Sequence, residues 1–143
     1  MFTFFGLFAD PLPGLAERIS AIWPDLDVIG IEQPISAIGA RFSQDHYAPE
    51  DEDLPEPVVR HVEALSAAYP AARLMLLRTM CFGGDCANWG LIIRNGQRVL
   101  HAEHKEALRR LIGYWGVDIG PREMFDPLRR AFPWERRQVQ PPS

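Results

Sequence analysis

"ARLMLLRTMCFGGDCANWGLIIRNGQRVLHAE" (Ala72–Glu103) is the stretch whose reading decides the fold. It opens with a nearly continuous apolar run, "ARLMLLRTMCF" (72–82), which reads as a buried strand. Gly83 and Gly84 interrupt it, and glycine permits the positive φ that a tight reversal needs. "WGLIIR" and "QRVLHA" follow, joined by Asn95-Gly96. Asn-Gly is the preferred pair for a two-residue type I′ hairpin. Three strands therefore follow one another with only short turns between them. Parallel neighbours need crossovers of about a dozen residues or more, so these strands are expected to be antiparallel.

Upstream, "FTFFGLFA" (2–9) is another apolar run and is expected as a central strand. "LAERISAIW" (15–23) sets Leu15, Ile19, Ile22 and Trp23 at helical spacing, and Pro24 stops it. "LDVIGIEQP" (26–34) and "ISAIGARFS" (35–43) are β-like around Pro34, as one bent strand or a short hairpin. "PVVRHVEALSAAYP" (57–70) has Val58, Val62, Leu65 and Tyr69 on one helical face. "EHKEALRRLIGYWG" (103–116) is expected as an amphipathic helix, and a shorter helical stretch over 120–134 breaks near Pro127. The pattern predicts an α+β fold: a mostly antiparallel sheet with helices packed on it, as a single pair of layers. Residues 1–134 are expected to form one domain and 135–143 a flexible tail.

The net charge of −4 conceals an asymmetry: residues 1–72 carry 12 acids against three arginines, and residues 73–143 seven acids against 12 basic groups. The two halves are thus −9 and +5. An acidic half argues against nucleic acid as a partner, because phosphate binding needs a basic surface. It suits a basic protein. The apolar run at Phe2–Ala9 is too short to cross a bilayer and lacks a signal-peptide layout, so no membrane partner and a cytoplasmic location are expected.

Cys81 and Cys86 are the only cysteines, with four residues between them. A redox centre would need a thiolate favoured by a helix N-terminus or a cation, whereas the nearest charge in this turn is Asp85. A β-turn can bring the two Cα atoms within disulfide range, so the pair could bond across the hairpin mouth or be buried, incidental cysteines. His101 and His104 could join them in a zinc site, although the spacing is unlike that of structural zinc motifs. No nucleophile elbow, metalloprotease helix or phosphate loop is present in the sequence. The expectation is a non-enzymatic chain with no catalytic residues, metal or cofactor; a thiol enzyme or redox sensor and a small zinc domain are the alternatives.

"QDHYAPEDEDLPEP" (44–57) holds six acids and three prolines and is expected to be a solvated loop. Long loops in compact domains usually work or are disordered. Read as a recognition loop, its acids Asp45, Glu50, Asp51, Glu52, Asp53 and Glu56 would steer a basic partner. Tyr47 and Leu54 would supply apolar anchors, and His46 would make the contact pH-sensitive. Trp134, beside two arginines, is expected at the surface as a further contact.

Phe82-Gly83-Gly84, the small-residue strand Ala87–Ile93, the Asn95-Gly96 hairpin and the close "MFDPLRRAFPW" (124–134) together resemble small bacterial immunity proteins of polymorphic-toxin loci. The resemblance covers about a third of the chain and departs at Cys86, where a polar residue is expected. It implies that the chain binds and blocks a cognate toxin. It also implies that the Gly-Gly turn is scaffold, and it assigns no partner-binding residues.

Overall fold

A computed structural model of the chain describes residues 2–48, 53–83, 85–104 and 106–121. Nine elements follow in order: β1 (Phe2–Ala9), α1 (Leu15–Ile22), β2 (Val28–Ile31), β3 (Ala37–Arg41), α2 (Glu56–Ala68), β4 (Leu74–Phe82), β5 (Asp85–Arg94), β6 (Gln97–Ala102) and α3 (Ala107–Gly113). The strands form one six-stranded sheet in the order β2-β3-β1-β4-β5-β6. Every pairing is antiparallel, so the fold is α+β.

The long apolar runs lie at the centre of the sheet. β1 pairs with β4 from Phe2↔Cys81 to Ala9↔Leu74, and β4 pairs with β5 from Leu74↔Ile93 to Phe82↔Asp85. Side chains alternate between faces along each strand. Phe5, Leu7, Leu74, Leu76, Leu91 and Ile93 pack under α1 and α2. Phe4, Phe8, Met75, Leu77 and Ile92 pack against α3. The sheet is therefore covered on both faces, and the expected single pair of layers becomes three. The reason is that α3, after the last strand, packs on the face opposite α1 and α2. A strand buried on both sides is apolar at nearly every position, which is why β1 and β4 read as long apolar runs, with Arg78 and Thr79 as buried exceptions in β4.

The Asn95-Gly96 turn has φ of 52° and 77° at its two residues, as type I′ requires. The Gly96 N–H donates to Ser66 Oγ on α2 at 2.8 Å, fixing the turn to the helix. Gly83 also has positive φ, at 52°; Gly84 lies outside the described residues. Gly90 answers a packing need: a Cβ there would stand 2.2 Å from the Leu76 carbonyl oxygen and 3.0 Å from Leu111 of α3.

Several expected boundaries shift. Residues 26–43 form a hairpin, β2 and β3, rather than one bent strand. β5 begins at Asp85, so Asp85 and Cys86 belong to the strand and not to the expected turn. α3 starts at Ala107, because His104 takes a left-handed φ of 70° that a helix from residue 103 could not contain. The helical stretch at 120–134, Trp134 and the tail at 135–143 fall outside the described residues beyond residue 121. Both sheet edges are blunted: β2 is four residues long, and β6 is bulged, with Ile93 opposite Arg98 and Ile92 opposite Leu100. Val99 is the extra residue of that bulge and is 46% exposed.

Candidate functional site

The acidic segment is anchored at both described ends, which differs from a wholly solvated loop. His46 shares a 2.9 Å hydrogen bond with Asp25, which holds the Asp25 carboxyl below its ordinary value. Tyr47 is not an exposed anchor: it is 8% exposed, with its ring edge-on to Phe5 at 5.3 Å. The physical reason is Arg78, which projects from the middle of β4 and is 1% exposed. Its guanidinium lies 4.7 Å from the Tyr47 ring and donates to the Ala48 carbonyl at 2.9 Å. The buried cation thus pins the start of the segment to the sheet.

Asp45 is exposed at the head of the segment, and Glu50, Asp51 and Glu52 lie outside the described residues. The segment returns at Asp53, which is exposed, and Leu54, which is half-buried against the core. Glu56 opens α2 and forms an ion pair with Arg98 of β6 at 3.0 Å; Arg98 also reaches Glu63 at 3.4 Å. These two carboxylates raise the Arg98 guanidinium further above its already high ordinary value, Glu56 most strongly.

Between this end of the segment and the β5–β6 hairpin is a cleft of about 530 Å³. Leu54 and Trp89 are part of its apolar lining, while Asp53, Glu56 and Glu103 carry its acidic charge. A second depression of about 320 Å³ lies beside it, and Asp53, Trp89 and Glu103 line both. Trp89 stands opposite Arg78 in the β4–β5 register, and the Arg78 guanidinium lies 5.6 Å from its ring. The indole nitrogen is covered, so the clefts meet ring carbon. Glu103 is 3.2 Å from His101 and 3.7 Å from His104, and all three side chains are more than half exposed.

Cys81 and Cys86 face each other across the hairpin and form a disulfide. In that state neither sulfur is a nucleophile or a thiolate ligand. Among the described residues no group of three or more His, Cys, Asp or Glu side chains could hold a metal ion. An oxidising compartment maintains such a bond, whereas a reducing cytosol would hold the pair as thiols. No helix among the described residues is long and apolar enough to cross a membrane.

A second charged assembly lies elsewhere. Arg73 Nε and one terminal nitrogen donate to the two Asp10 oxygens at 2.9 Å, and the Arg73 N–H adds a bond of 2.8 Å. Trp115 Nε1 donates to the same carboxylate at 3.2 Å, and the guanidinium lies 5.2 Å from the Trp115 ring. Burial alone would raise the Asp10 carboxyl, but the Arg73 hydrogen bonds and charge, with Trp115, bring it below its ordinary value.

Sequence reasoning located Asp53, Leu54 and Glu56 but missed Trp89 and Glu103 as their neighbours. One signal was available: Arg78 is the single charge inside "LMLLRTMCF", and a buried arginine needs partners. No known protein family, curated protein or solved structure matches the chain.

Proposed function

We propose that this chain is a non-enzymatic binding protein that neutralises a basic protein partner by direct contact, in the manner of an immunity protein occluding a bacterial toxin domain. The observation that carries the reading is the cleft in which Asp53, Glu56 and Glu103 surround Trp89. An aromatic floor with a charged rim is the composition of a protein-binding hot spot, and its charge is opposite to that of a basic partner. The sequence places Glu50, Asp51 and Glu52 immediately before Asp53, extending the same charge along the chain. A contact of this kind uses no cofactor.

The test is binding between the purified chain and the product of the neighbouring open reading frame, measured at low and high salt. The expected result is a tight complex whose on-rate falls steeply with ionic strength. Reversing Glu50, Asp51, Glu52 and Asp53 together is expected to weaken it by at least about tenfold. No complex at any salt concentration overturns the reading. A complex indifferent to the charge reversal overturns the role of the acidic segment.

A further inference from the structure

The chain contains a worked example of how it holds a guanidinium. Arg73 lies against the ring of Trp115 and is gripped by the Asp10 carboxylate. Arginine suits this arrangement because its flat, weakly hydrated cation stacks on an indole while its fork meets a carboxylate. Arg78 repeats the theme, lying 4.7 Å from Tyr47 and 5.6 Å from Trp89.

Trp89 has the same two kinds of neighbour on its open side. Asp53 reaches the clefts from the acidic segment and Glu103 from the end of β6, and both line the depressions that adjoin the ring. Glu56, the third acid of the larger cleft, is engaged by Arg98, so its charge is largely answered within the chain. Glu103 is paired with His101 and His104, which are cationic only when protonated, and Asp53 lines both clefts beside it. Besides the acids Asp53, Glu56 and Glu103, the titratable side chains that line the two clefts among the described residues are Arg98, His101 and His104.

We infer that the indole of Trp89, with Asp53 and Glu103 beside it, is the seat of an arginine side chain supplied by the partner. The inference rests on the binding reading above and adds the chemistry by which the partner is anchored. The guanidinium stacks on the exposed ring carbons and donates charge-assisted hydrogen bonds to the two carboxylates. The leucine and valine side chains of the larger cleft, Leu54 and Val99 among them, accept the methylene stem.

The test uses the whole chain with its four tryptophan indoles labelled for NMR, the Trp89 signal being identified by Trp89→Phe. The probe is N-acetyl-arginine amide, and the control is N-acetyl-citrulline amide, which has the same shape without the charge. The arginine compound is expected to shift the Trp89 indole signal saturably, and the citrulline compound to leave it in place. Asp53→Asn combined with Glu103→Gln is expected to weaken the arginine response about tenfold while leaving the remaining spectrum unchanged. A Trp89 signal that does not move, that moves equally with citrulline, or that ignores the double variant overturns the inference. Partner binding without an arginine response at Trp89 removes this anchor and keeps the binding reading. An arginine response without partner binding does the reverse.

Discussion

Trp115 and Trp89 each stand beside carboxylates, but one assembly is closed and the other open. At Trp115 the cation, the carboxylate and the indole all come from the chain, and Asp10 is 8% exposed. At Trp89 the carboxylates belong to exposed residues, and two clefts reach the ring. The closed assembly ties the end of β1 to the start of β4 and to the residues after α3, so its energy goes into the fold. The open one contributes little to the fold, because exposed charges are screened by water and salt. The same residue types are thus either engaged within the fold or left facing an open cleft, according to how far their carboxylates are buried.

The comparison breaks most severely at Gly90, which adjoins Trp89 in β5 and stands beside Leu111 of α3, the helix that precedes Trp115. Gly90→Ala pushes a Cβ into the backbone carbonyl of Leu76, which the central strand pair cannot withdraw cheaply, and against the buried Leu111 side chain of α3. A loss of about 3 kcal/mol in urea unfolding is expected, with NMR changes at both tryptophans.

The next largest effect separates the two assemblies. Asp10→Ala leaves the Arg73 guanidinium and the Trp115 N–H without their acceptor. Breaking a fully buried pair costs more, but the Arg73 side chain is 34% exposed, so about 2 kcal/mol is expected. Binding at Trp89 should be unaffected in the folded fraction. A loss below about 0.5 kcal/mol would show that the closed assembly is not a staple.

Acid sharpens the same point. The folded Asp10 carboxyl lies below its ordinary value, so the folded state favours the ionised form. Its contribution is complete above the ordinary carboxylate range and is lost as pH falls through the lowered folded value. The stability difference between wild type and Asp10→Ala is therefore expected to be constant near neutrality and to shrink toward about pH 2. Unfolding curves across that range measure it; a difference that grows with acid contradicts the assignment.

The smallest effect is expected at the open assembly. Asp53→Asn with Glu103→Gln should change stability by less than about 0.5 kcal/mol, because both residues are exposed. A larger loss in thermal unfolding would mean that these carboxylates hold the fold together, as Asp10 does.

Much of this architecture follows from short stretches. Asn95-Gly96 sets the last hairpin through backbone conformation, and apolar spacing sets the buried faces of α1 and α2. The continuous runs of β1 and β4 mark strands covered on both sides. Six acids in fourteen residues mark a charged segment wherever it lies. Those are properties of neighbours in sequence, governed by local conformation and period.

Only the tertiary structure decided the rest. Tyr47 looked like an exposed anchor and is buried, because Arg78 and Phe5, from β4 and β1, meet it there. The side of the sheet that α3 covers depends on where the chain leaves β6, and no periodicity records that. Asp53, Trp89 and Glu103 share a cleft through the β4–β5–β6 register and the docking of α2, although they are far apart in the chain. Residue type supplied the chemistry of both tryptophan assemblies; register and burial decided which one is closed within the fold.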